Sequence, residues 1–245
     1  MGWERTLAFF ALALLAEVAG TVGGFGSSVF FVPVASLFLD FESVLGLTAL
    51  FHLASNISKL GLFRGGIDRG LLLRLGVPSV VFALLGGLAS AAVPVRALQL
   101  VLAVFLVVLA GWWLLNPTHR LAPTPRMAIG AGALSGGMAG LVGTGGAVRG
   151  LALAAFALPK EVFVATSAAI DLGIDLARAG AYFANGFVHV HDLVYLPMLA
   201  VVAIAGTWLG RLLLQRVSQE RFRQIALWLV LGIGLVTFVQ AWRGG

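Results

Sequence analysis

The chain has 245 residues, of which 60% are hydrophobic and 11% charged, with a mean hydropathy of +1.02. A soluble domain carries about a quarter charged residues, so the composition excludes one and points to an all-α integral membrane protein with almost no extramembrane mass. A net charge of +6 then bears on loop topology rather than on nucleic acid, and the lack of cysteine excludes disulfides and thiolate chemistry.

Residues 1–19 superficially match a signal peptide, with Arg5 ahead of an apolar run and small residues from Ala16 to Gly20. The segment is expected to be retained, because the motif that follows it recurs inside the chain. Ala19-Gly20-Thr21-Val22-Gly23-Gly24-Phe25-Gly26-Ser27-Ser28 returns 120 residues later as Ala139-Gly140-Leu141-Val142-Gly143-Thr144-Gly145-Gly146-Ala147-Val148, matching at Ala, Gly, Val, Gly and Gly. Each copy interrupts an apolar segment, 6–38 and 127–158, that is too long for one ordinary span. The arms, about 12–14 residues or about 20 Å of helix each, fall short of a core of about 30 Å. Each segment is therefore either one kinked crossing or a re-entrant hairpin.

Beyond each break a helix restarts, near Ser28 and near Ala147, and presents unpaired N–H groups and the positive end of its dipole. Glycine lets a bound group approach the backbone. Gly23, Gly24, Gly26, Ser27 and Ser28, facing Gly143, Thr144, Gly145 and Gly146, would make an anion site. Glycines that only let helices approach closely are the bland alternative, and the duplication weighs against it. Arg149 follows the second break, where the first copy has Val29. A charge at membrane depth is a functional candidate, either gripping the anion or pairing with Glu17, Asp171 or Asp175.

Ordinary spans are expected at 43–63, 71–93 and 96–115 in a first repeat, 1–118. A polar, Pro-rich linker at 119–126 leads to a second repeat, 127–245, with spans at 161–184, 193–215 and 222–242. The helix after each hairpin carries a polar stripe: Thr48, His52, Asn56 and Lys59 in the first, Ser167, Asp171, Asp175 and Arg178 in the second, all matching at an offset of 119. The spacing keeps each set on one helix face. The stripes are either interhelical glue or coupling groups, with Asp171 or Asp175 carrying a proton or pairing with Arg178 or Arg149. Lys59, near its helix end, is expected to snorkel.

Loop charges choose between hairpin and crossing. If both odd segments are re-entrant, the N-terminal side holds Arg5, Arg96 and Arg243, against ten Lys and Arg on the other side; if both cross, the split is seven to six. Only the hairpins satisfy the positive-inside rule, which places both termini outside. Each half then has one re-entrant helical hairpin plus three transmembrane helices. The odd number of crossings makes the halves inverted repeats, the architecture of many alternating-access carriers. Non-helical backbone at this depth must be buried or line a cavity, so the two tips should meet near the midplane.

His189, His191 and Asp192 could hold a metal, but a solvated loop is the expectation and no metal site is assigned. Trp3, Trp112, Trp113, Tyr195 and Trp242 fit an interfacial belt. No hydrolase triad, nucleotide loop or His-Glu-x-x-His is present, so no catalytic residue and no cofactor is expected.

The duplicated Ala-Gly-x-Val-Gly-x-x-Gly segments, the Thr48 and Thr166 regions, and the Pro78 and Pro197 spans leading to Gly86-Gly87 and Gly206 resemble the TauE/SafE family of sulfite and organosulfur anion exporters. The likeness covers nearly the whole chain. The first motif reads Gly-Gly-Phe-Gly-Ser-Ser where many relatives have a more open glycine run. The resemblance implies a bacterial inner-membrane transporter of small anions such as sulfite, sulfonates or sulfoacetate, with the lipid bilayer and a small anionic substrate as its partners. Protons are the candidate coupling ion, and a second copy of the chain, in a homodimer, is a candidate partner. A passive anion channel and a scaffold subunit without transport are the other readings.

Overall fold

The computed structural model describes residues 2–23, 26–116, 122–214, 216 and 219–243. The linker positions 117–121 lie outside the described residues. All regular structure among the described residues is helical.

Helix α1 (Trp3–Gly23) is followed by the short α2 (Ser28–Ala35). Helix α3 (Phe41–Leu62) starts at Asp40, whose carboxylate accepts from the Ser43 amide at 2.9 Å, a helix N-cap. Helix α4 (Arg69–Ser90) begins under a like cap from Asp68 to the Leu71 amide, 2.9 Å. It loosens into a π turn over Leu72–Gly76. Pro78 explains that turn, since its ring would meet the carbonyl four residues back in a regular helix. Helix α5 (Val95–Leu115) completes this half.

Helix α6 (Pro125–Val142) is capped by Thr124 and closed by Gly143 at φ 79. The short α7 (Gly146–Ala154) and the long α8 (Lys160–Ala184) follow. Helix α9 (Val190–Leu214) opens with a 3-10 stretch over Val190–Tyr195, and α10 (Gln219–Arg243) ends the chain.

Both α1–α2 and α6–α7 fold back on themselves. Arg5 donates to the Leu37 carbonyl at 3.3 Å, and the Phe9 ring packs edge-on or tilted against Phe38 and Phe31, so the start of α1 lies beside the end of the α2 segment. In the second hairpin the Ser135 hydroxyl donates to the Gly145 carbonyl at 2.8 Å. The arms differ from the expected equal pieces: α1 has 21 residues and α2 has 8, α6 has 18 and α7 has 9. Gly20, Gly23 and Gly140 stay helical, because glycine costs a helix only about 1 kcal/mol. The reversal comes where φ turns positive, at Gly26 (78) and Gly143 (79).

The packing is crosswise. Helix α1 lies on α9 and α6 on α4; α3 lies on α8 and α5 on α10. Gly132, Gly136 and Gly140 bring α6 onto the Leu75, Ser79 and Ala83 backbone of α4, leaving no room for a Cβ. Gly206 and Gly210 of α9 likewise receive Glu17 and Thr21 of α1. Small residues at four-residue spacing allow this approach.

Outward faces are apolar, with Phe82 and Leu85 on α4, Val104 and Val108 on α5, and Ile204 and Trp208 on α9 all exposed. Trp113, expected at an interface, is instead buried in the core. Among the described residues four helices are long and apolar enough to cross a membrane: Trp3–Gly23, Arg69–Ser90, Val95–Leu115 and Val190–Leu214. An apolar exterior of this extent needs lipid, and the chain is a multi-pass membrane protein.

Candidate functional site

The two turns meet. A Cβ built on Gly26 would stand 4.0 Å from the Gly146 Cα and 3.5 Å from Arg149 Nη2. Ser27, Ser28, Thr144, Gly145, Gly146 and Arg149 are all buried here. Gly24 lies outside the described residues.

Around the turns runs a buried polar network. Arg149, on α7, forms an ion pair with Asp171 and donates through Nε to the Ser167 hydroxyl at 3.2 Å. Arg178 pairs with Asp175 at 2.7 Å and donates through Nη1 to the Gly143 carbonyl at 2.7 Å, fastening the second turn. Asn56 donates to the other oxygen of Asp175 at 2.7 Å. His52 sits between the halves, with Nε2 2.9 Å from Ser27 Oγ and Nδ1 3.2 Å from Arg178 Nη2. The Ser27 proton goes to Glu17 Oε2. Its oxygen therefore accepts from His52 Nε2–H, and Nδ1 accepts from Arg178.

Glu17 closes the network on the first side. Its carboxylate pairs with Lys59 at 2.9 Å and also accepts from Ser27, Ser55, Thr21 (3.3 Å) and Thr207 (3.2 Å). The network thus sets three carboxylates, Glu17, Asp171 and Asp175, against three cations, Lys59, Arg149 and Arg178, each paired once. Its formal charge is zero. The Asp171 side chain retains 17% exposure, against 0% for Glu17 and 2% for Asp175.

A cavity of about 20 Å³, lined by Gly26, Lys59, Ser167 and Asp171 among others, lies at this contact. That is room for about one water. It shares Thr21 and Val164 with a wider cavity of about 200 Å³ that reaches Lys160 and Leu214.

Of the stripe residues, His52, Asn56, Ser167, Asp171, Asp175 and Arg178 all join the network, whereas Thr48 turns back to its own helix at the Val44 carbonyl, 2.6 Å. Lys59 does not snorkel; at 7% exposure it is held inside by Glu17. Thr144 Oγ1 is buried without a hydrogen-bond partner beside the second turn. The residue that sequence reasoning undervalued is Glu17. In the sequence it stands out only as a partner for Arg149, although a lone carboxylate in an apolar run is costly enough to flag a buried cation.

A helical, lipid-facing shell around a charged centre, among the described residues, is the architecture of a multi-pass membrane protein. A model of the sulfite exporter TauE/SafE family matches residues 9–237. The chain belongs to that family, and its role is membrane transport. Searches of curated proteins and of solved structures each find no match.

Proposed function

We propose that the protein is a secondary carrier, working as an exporter of small sulfur-containing oxyanions such as sulfite, sulfonates or sulfoacetate, by alternating access in a bacterial inner membrane. In this reading the chain is two inverted repeats, each a re-entrant hairpin with three crossings, and both termini face outside. The crosswise packing of α1 on α9 and α6 on α4 supports it, as does the bond between Asn56 and Asp175, which occupy equivalent stripe positions 119 residues apart. The three-to-ten split of loop cations supports the orientation.

The observation that carries the reading is the Arg149–Asp171 pair at the junction of the two hairpin turns. An oxyanion can take the place of the Asp171 carboxylate on the guanidinium fork. Because the network is already neutral, an added anion leaves one excess negative charge in a dry site, which costs several kcal/mol. A proton on the displaced Asp171, the most exposed of the three carboxylates, removes that charge. Anion and proton are then taken up together. Lys59 lines the same cavity and supplies a second cation to the anion.

A thermal-shift screen with sulfite, sulfate, thiosulfate, taurine, sulfoacetate and simple carboxylates identifies the ligand, since binding raises apparent stability. Affinity should fall from wild type through Arg149→Lys to Arg149→Gln, the last by about 2 kcal/mol or more. Asp171→Asn should retain binding in liposomes and lose its response to a pH gradient. Unchanged binding in a folded Arg149→Gln variant makes Arg149 a structural ion-pair partner and removes it from the site. Anion conductance with no response to a pH gradient makes the protein a channel, and no stabilisation by any anion makes it a scaffold.

A further inference from the structure

A second cluster of ligating groups lies outside the charged network, at the start of α9. His189, His191 and Asp192 each bring one ligand atom within 4.8 Å of the others. Sequence spacing alone favours a solvated loop here, but Asp192 is not solvated. It is 3% exposed, and its Oδ2 has no hydrogen-bond partner. A buried carboxylate without a donor costs several kcal/mol unless a cation meets it.

The surrounding hydrogen bonds say which cation. The Ser43 hydroxyl donates to Asp40 Oδ2 at 2.7 Å and lies 2.8 Å from His189 Nδ1. The serine proton is thus committed to Asp40, and its oxygen accepts from His189 Nδ1–H. That explains why Asp192 Oδ2, 3.4 Å from the same nitrogen, has no donor. It also orients the His189 ring and leaves its Nε2 lone pair free, the outer-shell arrangement of a metal-bound imidazole. On the other side His191 Nε2 stands 3.4 Å from Asp192 Oδ1. That is long for a charge-assisted hydrogen bond, about 2.7–2.9 Å. It equals the ligand–ligand edge, about 3.3–3.4 Å, of a tetrahedron with bonds of roughly 2.0–2.1 Å. The two imidazole rings stack with centroids 5.3 Å apart and 11° between planes, and both stand beside the same carboxylate.

We propose that His189, His191 and Asp192 form a site for a divalent transition metal of the zinc type. Two imidazoles and one carboxylate suit that class, with water completing the coordination. Hard, oxygen-seeking cations such as magnesium and calcium do not match this donor set. His191, exposed to solvent, is the side of access. The bound ion ties the start of α9, through His189 and Ser43, to the start of α3. This site stands apart from the transport reading and does not depend on it.

The test uses the full chain without a polyhistidine tag, stripped by chelator and titrated with zinc alone against a chromophoric competitor. One equivalent should bind, and zinc should raise the melting temperature of the wild type. His191→Ala changes an exposed side chain and should fold normally, lose that shift and bind zinc at least tenfold more weakly. Ser43→Ala, which removes only the outer partner, should weaken binding roughly 10–100-fold. Magnesium and calcium should give no shift. Absence of zinc binding, binding undiminished in His191→Ala, or preference for magnesium or calcium each overturns the proposal.

Discussion

Replacing Glu17 with Gln removes one charge from the centre of the protein and leaves the side-chain volume nearly unchanged. The carboxylate faces five donors: the Lys59 ammonium at 2.9 Å and the hydroxyls of Thr21, Ser27, Ser55 and Thr207. The amide keeps one acceptor oxygen, turns a donor toward the hydroxyls and strands Lys59 in a buried site. Removing one partner of a buried pair costs about 3–5 kcal/mol. For a chain of this size each kcal/mol shifts the melting temperature by roughly 2–4 °C, so the variant should melt roughly 6–20 °C lower. Six tryptophans make intrinsic fluorescence a direct readout of melting in detergent. Lys59→Met alone should be similarly damaging. The double variant should be better than the sum of the two by as much as about 3 kcal/mol, the range for residues in contact. If Glu17→Gln melts with the wild type, or the two losses simply add, the Glu17–Lys59 pair does not hold this centre together.

Gly136→Val drives a side chain into the Ser79 backbone and should separate α6 from α4, at a cost of about 1–3 kcal/mol or more, seen as a lower melting temperature. Asp40→Ala removes the α3 cap, worth about 1 kcal/mol. The Asp40 carboxyl is pushed up by burial, but the Ser43 amide and hydroxyl outweigh this and hold it below its ordinary value. Its stabilisation is therefore present above the unfolded carboxylate range, about pH 4, and is lost as pH falls through the lower folded value; melting of wild type and variant should converge at acid pH. Single cysteines at Gly2 and Arg69, in a chain with none of its own, should label from opposite sides of the membrane; equal access from outside sinks the hairpin topology.

Much of the helical framework was readable because prolines, glycines and charges punctuate apolar runs, and in the structure Asp40, Asp68, Pro94, Thr124 and Pro159 stand at helix starts. Both stripes were readable because a period of 3.6 puts their members on one face. Partners were not readable, since helix periodicity says which face is polar and nothing about what stands opposite. Arg178 reaching the Gly143 carbonyl, and Lys59 turning inward to Glu17, depend on how α1, α3 and α8 converge. The unequal hairpin arms were missed because glycine tolerates a packed helix. Only its backbone angle, invisible in sequence, marks the reversal.

The crosswise packing also sets a schedule for synthesis. Helix α1 rests on α9, and Thr207, its hydrogen-bonding contact there, lies 190 residues beyond Glu17. At a translation rate of about 5–20 residues per second, α1 waits roughly 10–40 s for that neighbour. Its carboxylate does not wait so long, because Thr21, Ser27, Ser55 and Lys59 all emerge within the next 42 residues. The nascent first half can therefore neutralise its one buried acid locally while its apolar flank is still open to lipid. The ion pair then serves as a holding arrangement during biogenesis, and the Glu17→Gln variant should be lost from cells faster than its melting temperature alone would account for.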